Sequence, residues 1–166
     1  MYLISDGGVS SNTPDTIESV LLTKNISKLD GVKLDVRLSL DNVFVISRYE
    51  ELDKFTYARG NVSDYKYSYL RKVKFPSHIF KYYIPTLEEI LKRYSKDKII
   101  VLEIYSTNNL DELYNLLTKY NYKYCFYSKN KSILNKLSDL LFDKIGILLN
   151  NSNLILKDLN TFLIKQ

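Results

Sequence analysis

The sequence has no tryptophan, one cysteine, one methionine and one histidine, and it holds only three prolines and five glycines. A lone thiol, Cys125, excludes an internal disulfide and suits a reducing compartment, so a cytoplasmic setting is expected. No apolar run approaches the ~18 residues of a membrane-spanning helix. The opening Met1-Tyr2-Leu3-Ile4-Ser5-Asp6 lacks the basic-then-apolar pattern of a signal peptide. There is no repeat, no low-complexity linker and no break in composition, so residues 1–166 read as one domain.

What is present is an ordinary globular balance. Of 166 residues, 45% are apolar and 26% charged, enough for a real core and too apolar for disorder. The formal charge is +5. Such a balance raises nucleic acid as a partner, but the lysines are scattered among acidic residues, as in Lys92-Arg93-Tyr94-Ser95-Lys96-Asp97-Lys98. With no stripe and no binding motif, nucleic acid is not expected. The fifteen tyrosines follow the same Lys/Asn/Ile/Tyr bias and need no stacking role.

Periodicity predicts alternating strands and helices. Tyr2–Ser5 reads as a strand and Thr16–Lys24 as a helix. In Val32–Leu38, apolar Val32, Leu34, Val36 and Leu38 alternate with Lys33, Asp35 and Arg37, which is a strand pattern. Asp41-Asn42 turns the chain directly into a second strand, Val43–Ser47, a link too short for a helical crossover. A polar, tyrosine-rich stretch of about thirty residues follows, long enough to suggest a functional surface or a short helix. Thr86, three residues before Glu89, is a capping box opening a helix. Ile99–Tyr105 reads as a strand buried on both faces. Leu110–Tyr120 and Ser132–Leu141 read as helices, and Tyr122–Ser128 and Ile145–Leu149 as strands. Beyond Leu149 there is room for a short helix and a last strand, Thr161–Lys165. The alternation favours a parallel, layered or barrel architecture.

Three segments, in order, resemble the glycerophosphodiester phosphodiesterase family. Ile4-Ser5-Asp6-Gly7-Gly8 with Pro14-Asp15-Thr16-Ile17-Glu18 is similar to that family's opening His-Arg-Gly and Glu-Asn-Thr-x-Glu elements. Lys33-Leu34-Asp35, with the return strand through Ile46, resembles its Glu-x-Asp strand and the strand carrying a second histidine. Ile84-Pro85-Thr86-Leu87-Glu88-Glu89, followed by Leu102-Glu103-Ile104, resembles its Ile-Pro-Thr-Leu-Glu-Glu start and the strand with a metal-binding Glu. The resemblance covers residues 1–128 well and fades towards 149. It implies a TIM-barrel-like α/β fold, irregular or incomplete because a full (β/α)₈ barrel takes ~250 residues.

The resemblance also implies a chemistry: a divalent cation on three carboxylates, two histidines as acid and base, and an arginine on the phosphate. Position by position, this chain departs from it. Ser5 stands for the first histidine, Asp6 for the arginine, Pro14 for a glutamate, Lys33 for the first metal carboxylate and Arg48 for the second histidine. Asp35 and Glu103 are retained. Arginine does not release its proton at neutral pH. Lys33, Asp35 and Glu103 sum to the same minus one as three carboxylates with a divalent cation. The expectation is therefore that the Lys33 ammonium takes the place of the metal, leaving Asp35 and Glu103 as remnant ligands. The same Lys33/Asp35/Arg37 set is also what the wet face of an ordinary strand looks like.

These residues imply a degenerate family member without metal-dependent hydrolysis, acting as a binding or interaction module. No cofactor is expected. Lys33 and Arg48 would contact a small anionic ligand, with Asp35 and Glu103 shaping the site. An incomplete barrel could close by pairing with a second copy. The alternative is an active diester hydrolase of glycerol and lipid metabolism, using Mg²⁺ or Ca²⁺, in which Asp15 or Glu18 replaces the missing carboxylate and a non-histidine group transfers the proton; a third is a basic nucleic-acid-binding domain. His78 reads as a plain loop histidine, Cys125 as a buried structural thiol and Gly7-Gly8 as a turn.

Overall fold

In a computed structural model the described residues form eight strands and five α-helices, alternating from β1 to β6 except at β2-β3 and α2-α3. The structure describes residues 2–9, 15–76, 82–140, 142 and 146–149, with the backbone of 154–158 and 161–164. His78 and Pro14 lie outside the described residues. The strands are β1 (Tyr2–Asp6), β2 (Gly31–Leu38), β3 (Phe44–Ile46), β4 (Ile99–Ile104), β5 (Lys123–Tyr127), β6 (Gly146–Leu149), β7 (Leu154–Asp158) and β8 (Thr161–Ile164). The helices are α1 (Ile17–Thr23), α2 (Tyr67–Leu70), α3 (Leu87–Leu91), α4 (Leu110–Tyr120) and α5 (Lys131–Asp139).

One sheet runs in the order β6-β5-β4-β2-β1-β8-β7. From β1 to β6 the neighbours on this path are parallel, and β8 and β7 are added antiparallel at the β1 edge. This is an incomplete TIM-barrel-like α/β fold: among the described residues β6 and β7 are the two ends of the path and do not pair. No helix of the described residues is long and apolar enough to cross a membrane.

The elements form where the pattern places them. Thr86 caps α3, accepting from the Glu89 amide at 3.1 Å while the Glu89 carboxylate accepts from the Thr86 amide at 2.9 Å. Thr16 caps α1 by its side chain, accepting from the Ser19 amide at 3.3 Å. α4 is bracketed by two asparagines in the left-handed region, Asn109 and Asn121, a conformation asparagine tolerates better than most residues. The tyrosine-rich stretch folds into two 3₁₀ turns and α2 over a small core of its own, Val45, Leu52, Val62, Leu70, Val73 and Ile84.

Alternation divides the sheet into two unlike faces. Val32, Leu34 and Val36 of β2 pack with Ile100, Leu102 and Ile104 of β4 against Ile17, Val20, Leu87, Ile90, Leu113 and Leu117 of the helices. The opposite face carries Ile4, Ile99, Val101, Cys125 and Tyr127. On that second face lie the charged positions of β2 and β4. Lys33, Asp35 and Glu103 are buried at 5%, 2% and 2% exposure, so this is not the wet face of an ordinary strand.

The C-terminal segment differs from expectation. The expected last strand forms as β8, but a strand, β7, stands where a helix was expected and pairs with β8, which lies along β1 from Tyr2↔Ile164 to Ser5↔Thr161. Leu154–Leu156 and Phe162–Ile164 are apolar runs too short for a stable helix, and the β1 edge offers them a ladder of unpaired backbone groups.

Candidate functional site

The site gathers at the C-terminal ends of the parallel strands, where register decides which side chains meet. Asp6 ends β1 opposite Lys33, and Asp35 of β2 is the partner of Glu103 on β4. β3 pairs with β2 beyond the end of β1 and runs back towards it, from Leu38↔Phe44 to Val36↔Ile46. That return delivers Arg48 to Asp6.

Lys33 is the hub. Its Nζ lies 2.6 Å from Glu103 Oε2, 2.9 Å from Asp35 Oδ1 and 3.2 Å from Asp6 Oδ1. Burial alone would favour the neutral amine, but Asp35, Asp6 and Glu103 outweigh it and hold the ammonium well above the usual lysine range. Arg48 forms the second node. Its Nη2 reaches Asp6 Oδ2 at 3.1 Å and the Asp6 carbonyl at 3.0 Å, and its Nε lies 3.5 Å from Asp15 Oδ2. Desolvation opposes its charge, and Asp15 and Asp6 more than restore it.

The rim is held from two sides. Tyr105 donates its hydroxyl to Asp35 Oδ1 at 2.9 Å, and burial, then Asp35 and Glu103, push that phenol far above its ordinary value. Arg37 lies over the Tyr105 ring at 4.0 Å from its centroid, and binds the Ser47 and Arg48 carbonyls and Glu50. The segment leading to Arg48 is thereby fixed.

The structure thus brings together four of the residues singled out from sequence: Lys33, Asp35, Glu103 and, through Asp6, Arg48. Asp6 belongs to the cluster as an acceptor for both cations. Ser5 does not join it; its side chain is buried and donates to the Gly8 carbonyl at 2.6 Å. Tyr105 was not foreseen, and Asp15 was expected only as a substitute metal carboxylate in the active-hydrolase alternative, not as a partner of Arg48. Tyr105 shares the parity of Glu103 and Val101, a signal that was available. The placement of Asp15 depends on a left-handed backbone (φ 63°) that no pattern announces.

The chemistry of this arrangement is charge neutralisation. Four carboxylates face two cations, with Lys33 held by three of them. Three buried atoms, Asp15 Oδ1, Arg48 Nε and Glu103 Oε1, have no protein hydrogen-bond partner among the described residues.

Comparison with known proteins places this geometry in context. The sequence profile of the glycerophosphoryl diester phosphodiesterase family matches residues 8–139. The Bacillus subtilis protein YhdW, provisionally named a glycerophosphodiester phosphodiesterase, is 32% identical over 109 residues, 63% of this chain and 44% of its own. A glycerophosphodiester phosphodiesterase of Caldanaerobacter subterraneus is 29% identical over 109 residues, 63% of this chain and 45% of its own. The chain therefore spans less than half the length of these curated relatives. Among solved structures, the Thermotoga maritima glycerophosphodiester phosphodiesterase superimposes with TM-score 0.68 at 27% identity, over 80% of this chain and 56% of that one. An Oleispira antarctica phosphodiesterase, solved with its product sn-glycerol-3-phosphate, shares the fold with TM-score 0.73 at 21% identity, over 89% and 63%.

Proposed function

The chain belongs to the glycerophosphoryl diester phosphodiesterase family, and from that premise we propose that it is a degenerate member whose barrel mouth binds or docks rather than hydrolyses. The observation that carries this reading is the Lys33 ammonium, 2.6–3.2 Å from Glu103, Asp35 and Asp6. A divalent cation brought to these oxygens would meet a positive charge at contact distance, so the donor set does not fit the family's metal. The proton-transfer positions hold Ser5 and Arg48, the first bonded to a carbonyl and the second ion-paired. The site is shaped by Lys33, Asp35, Arg48 and Glu103. Arg48 has the more accessible side chain of the two cations, 24% against 7%, and is the one that an anion could reach by displacing a carboxylate.

The competing reading is a working diester hydrolase, favoured by the names of the curated relatives and by retained Asp35 and Glu103. Turnover of glycerophosphodiesters with and without EDTA separates the two. The parent protein is expected to be inactive in both conditions. Activity gained only by a variant carrying Ser5→His, Asp6→Arg, Lys33→Glu and Arg48→His would support loss of chemistry on an intact frame. EDTA-sensitive turnover by the parent would overturn it.

An interaction role has its own support at β6. Gly146-Ile147-Leu148-Leu149 carries no charge and no proline, Ile147 is 62% exposed, and the hairpin that follows pairs with β1 instead of covering this edge. Sheet edges of this kind associate unless protected. Light scattering is expected to find self-association that Ile147→Lys abolishes; a strictly monomeric parent at high concentration would remove this support.

A further inference from the structure

We propose that the buried Asp15 carboxyl takes up a proton in the mildly acidic range and that its ionisation on approach to neutral pH loosens the seam between the β1 turn and α1, making the mouth a pH-sensitive latch. The argument begins with charge. Among the described residues Asp6, Asp15, Asp35 and Glu103 face the two cations Lys33 and Arg48, so full ionisation would leave these six groups with a net charge of minus two in a buried cluster. A site so poor in water does not sustain that imbalance and relieves it by binding a proton.

Geometry selects the carboxyl that takes it. Lys33 serves Asp6, Asp35 and Glu103 directly, and Arg48 shares its Nη2 with Asp6 at 3.1 Å. Asp15 is left with the longest contact, 3.5 Å to Arg48 Nε, outside hydrogen-bond alignment. It is only 7% exposed, and its Oδ1 is buried without a protein partner among the described residues. The charged groups facing it are Asp6 from β1, Lys33 and Asp35 from β2, and Arg48 from the segment after β3; Glu18 of α1 is exposed. Burial first, and then Asp35, push the Asp15 carboxyl up to about 7.

The same residue sits on a structural seam. Its amide donates to the Gly7 carbonyl at 2.7 Å, Ser19 of α1 donates its hydroxyl to the same carbonyl at 2.9 Å, and the Val9 amide reaches the Ser19 carbonyl at 3.2 Å. Gly7 is at φ +69°, and a Cβ there would collide with Asp15 Oδ1. A charge forming on Asp15 therefore appears against the stitch that joins β1 to α1. Because the folded state holds the proton that the unfolded chain releases at about pH 4, stability falls as pH rises from about 4 to about 7 and is level above that.

Thermal unfolding of the whole chain and of Asp15→Asn between about pH 5 and pH 8 tests this. Asparagine accepts the left-handed backbone, so the variant is expected to fold. The midpoint of Asp15→Asn is expected to gain on the parent by several degrees as pH rises across this range, and amides of the Gly7–Val9 turn to lose protection, relative to the intrinsic exchange rate at each pH, towards the alkaline end in the parent only. A gap that stays constant with pH, or an Asp15 carboxyl resonance titrating below about pH 5, would overturn the proposal. Neither readout depends on whether the chain hydrolyses a diester.

Discussion

Asp35 and Glu103 are register partners on adjacent parallel strands, two carboxylates side by side and each 2% exposed. Like charges directly opposite one another in a sheet are destabilising, and buried ones severely so. The pair persists because Lys33, two residues before Asp35 on the same face, reaches both.

Removing that ammonium strands both carboxylates and Asp6. Lys33→Met keeps the volume and the stem, and is expected to cost roughly 3–5 kcal/mol in urea unfolding. The pH dependence has a definite sign. Lys33 is held above its unfolded value, so its contribution is complete through the neutral range and is lost only as pH climbs above about 10.4 towards the folded value.

Cation binding gives a sharper comparison. The thermal midpoint of the parent is expected to be the same in Mg²⁺, Ca²⁺ and a salt control of equal ionic strength. Lys33→Glu restores a third carboxylate, and its midpoint is expected to rise with either ion and fall back with EDTA. Tight calorimetric binding of Mg²⁺ or Ca²⁺ by the parent that disappears in Glu103→Ala would overturn the assignment of Lys33 as the counter-charge.

Tyr105→Phe removes the hydroxyl that Asp35 accepts from, while leaving the ring that Arg37 covers. The expected loss is about 1 kcal/mol. Tyr105→Ala should lose more, because the support for Arg37 goes with the ring. Equal losses would place the whole effect in the hydrogen bond.

Thr86→Ala removes the side-chain half of the α3 capping box and leaves the Glu89 carboxylate on the backbone amide of position 86. Chemical denaturation is expected to show a loss of about 1 kcal/mol, with Thr86→Ser close to the parent.

Much of this was legible because it rests on local periodicity. The period-two pattern of β2 placed Lys33 and Asp35 on one face, and Thr86 with Glu89 marked a helix start to the residue. The Lys33–Asp35–Glu103 contact followed from the family resemblance and the sum of the charges. The pairing of Asp15 with Arg48 was not legible, since it is made only through a left-handed residue and the return of β3. Nor was the C-terminal hairpin, whose pairing to β1 joins residues more than 150 positions apart. Contacts of that kind are set by which edge is free, and a sequence window does not contain that information.

The Lys33 ammonium has a consequence of supply. A metal ion is on loan from its surroundings: it can be scarce, exchanged for a competitor or withdrawn by a chelator. A charge on a side chain is delivered with the polypeptide, in fixed stoichiometry, at the moment the strand is made. At this mouth the positive charge beside Asp6, Asp35 and Glu103 is therefore written into the chain itself.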